Sequence, residues 1–229
     1  MDIKERFGRL KDAPWFNNSD EEENVIIGGA GGIGSWLALL MTRAGFVPMV
    51  FDYDQYEIHN MGGQLCKLTD VGQPKVVALQ NTIRELCGQE IYIFNQKYEA
   101  GSMTHKYVFA GFDNMEARKA MFQTWKHHNI LDPEAIFIDG RLLAEQIQIY
   151  CVTTKNMKEY EETALFSDSE VEEAPCTMKQ TSHIAAMIAS YMVSFFTNHI
   201  ANIKTGDNSR NIPYYWEYFA PIGYNNITE

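Results

Sequence analysis

Apolar residues recur along this 229-residue chain in two rhythms. Short continuous apolar runs bounded by glycine or polar turns read as buried strands, and runs spaced three and four apart read as helices. Strands are predicted at 24–28 (NVIIG), 47–52 (VPMVFD), 91–95 (IYIFN), 106–111 (KYVFAG) and 135–140 (AIFIDG). Helices are predicted over 33–44 with Gly45 as the stop, over 73–87 with Pro74 near the start, and over 114–128. Segment 145–152 (EQIQIYCV) alternates polar and apolar, as a strand with one wetter face does. Residues 1–12 look helical and amphipathic and lead into an acidic joint, NNSDEEE. Strands alternating with helices imply an α/β fold, Rossmann-like and doubly wound on a mostly parallel sheet.

The rhythm breaks at residues 155–174, KNMKEYEETALFSDSEVEEA, which are acid-rich and short of apolar residues. This stretch is expected to be a solvated, flexible crossover. Beyond it, MKQTSHIAAMIASYMVSFFTNHIANI is predicted as a long helix, apolar on nearly every face and therefore buried in a core or a dimer seam. The aromatic stretch IPYYWEYFAPIGY reads as an edge strand or a partner-facing segment.

Composition narrows the function. Hydrophobic residues make up 45% and charged residues 21%, as in an ordinary globular domain, and 229 residues suffice for one such domain spanning 1–229. A formal net charge of -11 argues against a nucleic-acid surface, which needs excess Lys and Arg. The N-terminus lacks the apolar core of a signal peptide, and no apolar run approaches the roughly 18 to 20 residues of a bilayer span. No membrane association is expected, and cytoplasm is the default. Cys66, Cys87, Cys151 and Cys176 are scattered with no CxxC pair, so neither a structural zinc site nor a disulfide framework is expected.

The chemistry begins at 24–60. Gly29-Ala30-Gly31-Gly32-Ile33-Gly34 satisfies GxGxxG between a predicted strand and a predicted helix. Gly29 permits the tight turn, Gly31 lets backbone approach a phosphate, and Gly34 allows close helix-to-strand packing. The helix start offers free N–H groups and a positive dipole end. Asp52 stands at ribose-binding spacing, about 20 residues on.

Two chemistries share this opening. A dehydrogenase would place Asp52 on the adenosine ribose and then need a proton relay. No Tyr-x-x-x-Lys pair follows, and His183 and His199 sit on the apolar helix, where core roles are commoner. The other chemistry, attack of a carboxylate on ATP, uses what lies beyond Asp52. Asp54, Asn60, Gln64 and Lys75 lead into the second helix, and Asp113, Asn114 and Arg118 follow another strand. A lysine able to reach phosphates and an aspartate able to hold Mg²⁺ suit attack on an α-phosphate.

These residues resemble the ubiquitin-activating-type family that includes ThiF, MoeB and HesA. Its pattern runs GxGGxGS, DxD, N-x-x-R-Q, D-x-G-x-x-K and DN-x-x-x-R. The counterparts here are Gly29 to Ser35, Asp52 and Asp54, Asn60 to Gln64, Asp70 to Lys75, and Asp113 to Arg118. The resemblance implies ATP- and Mg²⁺-dependent adenylation of the C-terminal carboxylate of a ubiquitin-like or sulfur-carrier protein. It further implies that Gly31 and Gly34 line the phosphate loop and Asp52 holds the ribose. Asn60, Gln64 and Lys75 would contact phosphate, and Asp113 would coordinate Mg²⁺. The family is usually a dimer in which an N-terminal arginine reaches the other subunit's ATP. RFGR makes Arg9 the candidate and Arg6 the second, the alternative being an ordinary exposed charge.

Gly63 replaces the family arginine in N-x-x-R-Q, which removes a phosphate clamp. Arg141 could substitute for it, bind a substrate carboxylate, or brace the acidic crossover. Cys176, in APCTMKQ, resembles the segment that carries a thioester cysteine in some relatives, with Lys179 nearby. Its other reading is a free thiol at the start of a buried helix. The family's zinc-binding CxxC pairs are absent. Two alternatives stay open: a nucleotide-binding but non-catalytic subunit of a heterodimeric activating enzyme, and an NAD- or FAD-dependent oxidoreductase.

Overall fold

The computed structural model of the chain describes residues 3–17, 19, 21–166 and 181–229. Its strands are β1 (Asn24–Gly28), β2 (Val47–Phe51), β3 (Tyr92–Phe94), β4 (Tyr107–Ala110), β5 (Ile136–Leu143), β6 (Gln146–Val152), β7 (Tyr215–Phe219) and β8 (Tyr224–Thr228). They form one sheet in the order β3-β2-β1-β4-β5-β6-β7-β8. Pairings among β1 to β5 are parallel, and β6, β7 and β8 extend the sheet antiparallel. The helices are α1 (Gly32–Ala44), α2 (Lys75–Cys87), α3 (Met115–Asn129), α4 (Met157–Thr163) and α5 (Ser182–Thr205).

The inner strands are apolar on both faces because both faces are covered. Val25 and Ile27 of β1 point into a core built with Leu37, Leu79 and Phe196 from α1, α2 and α5. Ile26, between them, points into the opposite core with Phe122, Trp125 and Tyr160 from α3 and α4. This is the doubly wound α/β architecture that the alternating pattern implies.

By length and composition α5 is the described helix that could cross a membrane. Here it is a core helix. Ile184, Ile188, Met192, Phe196 and Ile200 recur every fourth residue and are all buried. Phe196 meets Tyr107 and Phe109 edge-on at 5.0 and 5.1 Å. Each such side chain contributes about 1.5–3 kcal/mol by burial, enough to hold a 24-residue helix on the sheet.

Three elements differ from their predicted form. The N-terminus is a 3-10 turn, Ile3–Phe7, followed by further three-residue turns rather than a helix to residue 12. Gly8 weakens a continuation to residue 12, and Pro14 bars the helix from running on past that point. Within the acidic crossover, residues 157–163 form α4, whose Met157 and Tyr160 are buried, with the Tyr160 ring 4.8 Å from Phe122. Residues 167–174 of that crossover lie outside the described residues. The aromatic C-terminal stretch enters a hairpin in which β7 is an inner strand and β8 is the edge.

Candidate functional site

The sheet order turns at β1, with β2 and β3 to one side and β4 and β5 to the other. The loops after β1 and β4 therefore diverge, opening a crevice at the carboxyl ends of the strands. The glycine loop occupies that point. Gly29 has φ +89°, and a Cβ there would lie 3.0 Å from the Gly111 carbonyl of the β4 loop. The two loops are tied where Gly111 N–H donates to Gly28 O at 2.8 Å. A Cβ at Gly34 would collide with the Gly29 carbonyl, so α1 can approach β1 only with glycine there. At Gly31 the nearest atom to such a Cβ is Gln64 Nε2, at 4.0 Å. Gly31 thus leaves open space where phosphate can meet the backbone. Gly32 opens α1, whose N-terminus carries no side-chain cap and keeps its N–H groups for an anion.

Asp52, at the end of β2, braces this loop. Its Oδ2 accepts from Ala30 N–H at 2.7 Å and its Oδ1 from Asp54 N–H at 2.8 Å. Burial lifts its carboxyl above the usual value, while those two N–H groups and the Lys75 ammonium pull it down. Asp54 and Lys75 form the next layer. Lys75 Nζ lies 3.0 Å from Asp54 Oδ2, and Lys75 N–H donates to Asp54 O at 2.9 Å. The β2 loop and the start of α2 are thereby joined, with the Lys75 side chain only 10% exposed.

Asp54, Asn60, Gln64, Lys75 and Asp113 line one cavity of ≈ 660 Å³. These residues come from three separate segments of the chain. Asn60 also shapes its own loop, its Oδ1 accepting from Glu57 N–H at 2.8 Å. Gly63 is buried, and its carbonyl accepts from the Trp36 indole N–H at 3.1 Å, which pins the loop to α1. Asp70 is buried and accepts from Lys67 N–H, holding the turn before Lys75. Asp113 is exposed at the cavity, and Asn114 caps α3 by accepting from Ala117 N–H at 2.8 Å. The open cradle at Gly31 and the bare α1 N-terminus fit a phosphate chain. Two cavity carboxylates, Asp54 and Asp113, fit Mg²⁺, which keeps waters and phosphate oxygens as its other ligands. Among the described residues no three His, Cys, Asp or Glu side chains converge as a protein-only metal cage.

Other candidates lie elsewhere. Arg9 is exposed on the N-terminal segment. Arg6 donates to Cys87 O at 2.8 Å, at the far end of α2 from Lys75. That separation is roughly 18 Å along a straight helix. Arg141 does not line the cavity. It pairs with Asp139 and donates from Nη2 to Ala164 O at 2.9 Å, so it braces the crossover's first half. Arg118 likewise turns inward, to Asp139 and to Phe112 O. Cys176 and Lys179 lie outside the described residues. Cys66, Cys87 and Cys151 are free thiols, and burial pushes Cys151 far up. His199 is buried against Glu134 O at 2.7 Å, a core contact. Sequence reasoning missed Asp139, a fully buried carboxylate in β5. The only signal was an acid inside an apolar strand.

A glycine-cradled α1 N-terminus and a cavity with a lysine and two aspartates, on a doubly wound sheet, have the shape and charges that suit a nucleotide. The ThiF family profile matches residues 20–221, and the chain belongs to the ThiF family. Two curated relatives are similar over about half of the chain. The tRNA threonylcarbamoyladenosine dehydratase 1 of Saccharomyces cerevisiae is 26% identical over 124 residues, 49% of this chain and 29% of that protein. The ubiquitin-like modifier-activating enzyme 5 of Dictyostelium discoideum is 33% identical over 121 residues, 52% of this chain and 29% of that protein. The chain thus spans about three tenths of the length of these relatives. A crystal structure of Escherichia coli MccB with ATP shares the fold, with a TM-score of 0.66 at 13% identity over 99% of this chain and 65% of that one.

Proposed function

We propose that this chain adenylates the C-terminal carboxylate of a ubiquitin-like or sulfur-carrier protein, using ATP and Mg²⁺. The observation that best supports this is the meeting of Asp54, Asn60, Gln64, Lys75 and Asp113 around one cavity, in which Gln64 is also the nearest side chain to Gly31 of the glycine loop. A carboxylate oxygen of the carrier attacks the α-phosphorus of ATP and forms an acyl–phosphate bond. The bond to the β-phosphate breaks and pyrophosphate leaves, with no net proton transfer. Such a reaction asks the protein mainly to align reactants and neutralise charge. Gly31 and the α1 N-terminus hold phosphate, Lys75 supplies a cation, and Asp52 keeps the loop in place while facing the ribose. Asp113, with Asp54, holds Mg²⁺, which when bound neutralises phosphate charge.

A homodimer acting in the cytoplasm belongs to the same proposal. Arg6 is held at the end of α2 far from Lys75 and Arg9 is exposed on the same N-terminal segment, which suits service to a partner's site rather than their own. Attack of the Cys176 thiolate on the acyl adenylate would then form a thioester as the acyl–phosphate bond breaks and AMP leaves. A relative named as a tRNA-modification dehydratase raises a carboxylate on RNA as a substrate, but a net charge of -11 disfavours a polyanion. The test is ATP–pyrophosphate exchange with purified carrier proteins. Exchange that needs an intact carrier C-terminus and is lost in Asp113→Ala supports adenylation.

Gly63 favours a second reading, a nucleotide-binding subunit that leaves catalysis to a partner chain. No arginine stands at 63, and Arg141 is committed to Asp139 and Ala164. ATP binding without exchange in the homogeneous protein, restored by a partner chain, would select this reading.

A further inference from the structure

Asp139 is fully buried on β5 between two guanidinium groups and a phenol. Its Oδ2 accepts from Arg141 Nε at 2.8 Å and from Tyr160 OH at 2.8 Å. Its other oxygen pairs with Arg118. Arg118 Nη2 donates to Phe112 O at 2.6 Å, on the residue just before Asp113, and Arg118 Nη1 reaches Gly140 O at 3.4 Å. Arg141 Nη2 continues to Ala164 O, at the end of α4. One continuous polar chain therefore runs from the backbone beside Asp113, through Asp139, to the C-terminal end of α4. None of Arg118, Asp139, Arg141 or Tyr160 lines the nucleotide cavity.

A carboxylate fully withdrawn from water is retained only with dense pairing, and such a network is stiff in a low-dielectric interior. Its stiffness falls on the 111–114 loop, whose position sets where the Asp113 carboxylate stands. We propose that Asp139 is a positioning residue for the metal-binding side of the nucleotide site, acting through Arg118 on Asp113. The inference rests on the reading of Asp113 given above.

The test is calorimetric titration of the full chain with ATP-Mg²⁺ and, separately, with AMP in the absence of metal. The proteins are wild type, Asp139→Asn, Tyr160→Phe, Asp113→Ala and the double variant Asp113→Ala/Asp139→Asn. Supports of a metal ligand typically carry 10- to 100-fold effects, so Asp139→Asn is expected to weaken ATP-Mg²⁺ about 10-fold and AMP less than about two-fold. In the Asp113→Ala background the same substitution should add nothing, because its effect runs through Asp113. A purely structural role would weaken both ligands together, or add its full effect to Asp113→Ala, and either result overturns the proposal. Should Asp139→Asn fail to fold, Tyr160→Phe removes one hydrogen bond to the same carboxylate. About three-fold selective loss of ATP-Mg²⁺ is then expected, and equal losses or none overturn the proposal. If Asp113→Ala binds ATP-Mg²⁺ like the wild type, the reading of Asp113 falls and the inference with it. Intact Asp113 dependence with additive losses removes Asp139 alone.

Discussion

Gly31 caps α1 and Gly34 lies three residues on, in its first turn, yet substitution should separate them completely. A Cβ at Gly34 meets the Gly29 carbonyl, a backbone atom that can move only if α1 shifts away from β1. Overpacking of that kind costs about 3 kcal/mol, and at roughly 2–4 °C per kcal/mol for a chain of this size Gly34→Ala should melt about 6–12 °C lower. A Cβ at Gly31 meets only Gln64 Nε2, at 4.0 Å, and φ there is -77°. Gly31→Ala should therefore keep its stability within about 0.5 kcal/mol. Its methyl group would instead occupy the space left for phosphate, losing one or more backbone hydrogen bonds to a charged ligand. At about 1.5–3 kcal/mol each, that is roughly 10- to 100-fold in ATP affinity. Thermal denaturation and nucleotide titration of the two variants measure both quantities. Gly31→Ala that binds ATP normally, or that melts with Gly34→Ala, would refute the assignment of the open space to phosphate.

Three further outcomes are expected. Lys75→Ala removes a cation 3.0 Å from Asp54 and should lower ATP affinity roughly 30-fold, the loss of one charge-assisted hydrogen bond, read by the same titration. Arg9→Ala and Asp113→Ala should each lack pyrophosphate exchange alone and regain it when mixed, because the arginine serves a partner's site; no recovery would count against service in trans. Burial, the largest influence on Asp52, raises its carboxyl above 3.8, so the folded state holds that proton more tightly than the unfolded chain does. Its contribution is therefore present below pH 3.8 and lost as pH rises through the raised value. Denaturant titrations across acid pH should show wild type gaining on Asp52→Asn as pH falls, and the opposite trend would show that its N–H partners outweigh burial.

The alternation of β1, α1, β2 and α2 was legible because each element carries its own local signal: an apolar run, a glycine stop, or Pro74 before Lys75. The cavity residues were legible for a different reason. Strand ends in a parallel sheet all open on one side, so motifs after β1, β2 and β4 must meet. What stayed hidden depends on partners distant in sequence. Asp139 is held by Arg118, 21 residues before it, and by Tyr160, 21 residues after it, and no local pattern links them. The same cluster takes Arg141 away from the cavity. Helix α4 escaped notice because its buried side, Met157 and Tyr160, is two residues within a seven-residue acidic stretch. The hydrogen bonds that Asp52 accepts from Ala30 and Asp54 N–H stayed hidden too, because a sequence does not display which backbone donors a carboxylate meets.

The most direct test of the nucleotide site is thermal denaturation with ATP-Mg²⁺, AMP and NAD⁺ in parallel, on wild type and Asp113→Ala. A ligand at about 100 times its Kd adds about 2.7 kcal/mol of apparent stability. The expected result is stabilisation by ATP-Mg²⁺ that shrinks in Asp113→Ala. Stabilisation by NAD⁺ alone would contradict an ATP site and return the glycine loop to dinucleotide chemistry.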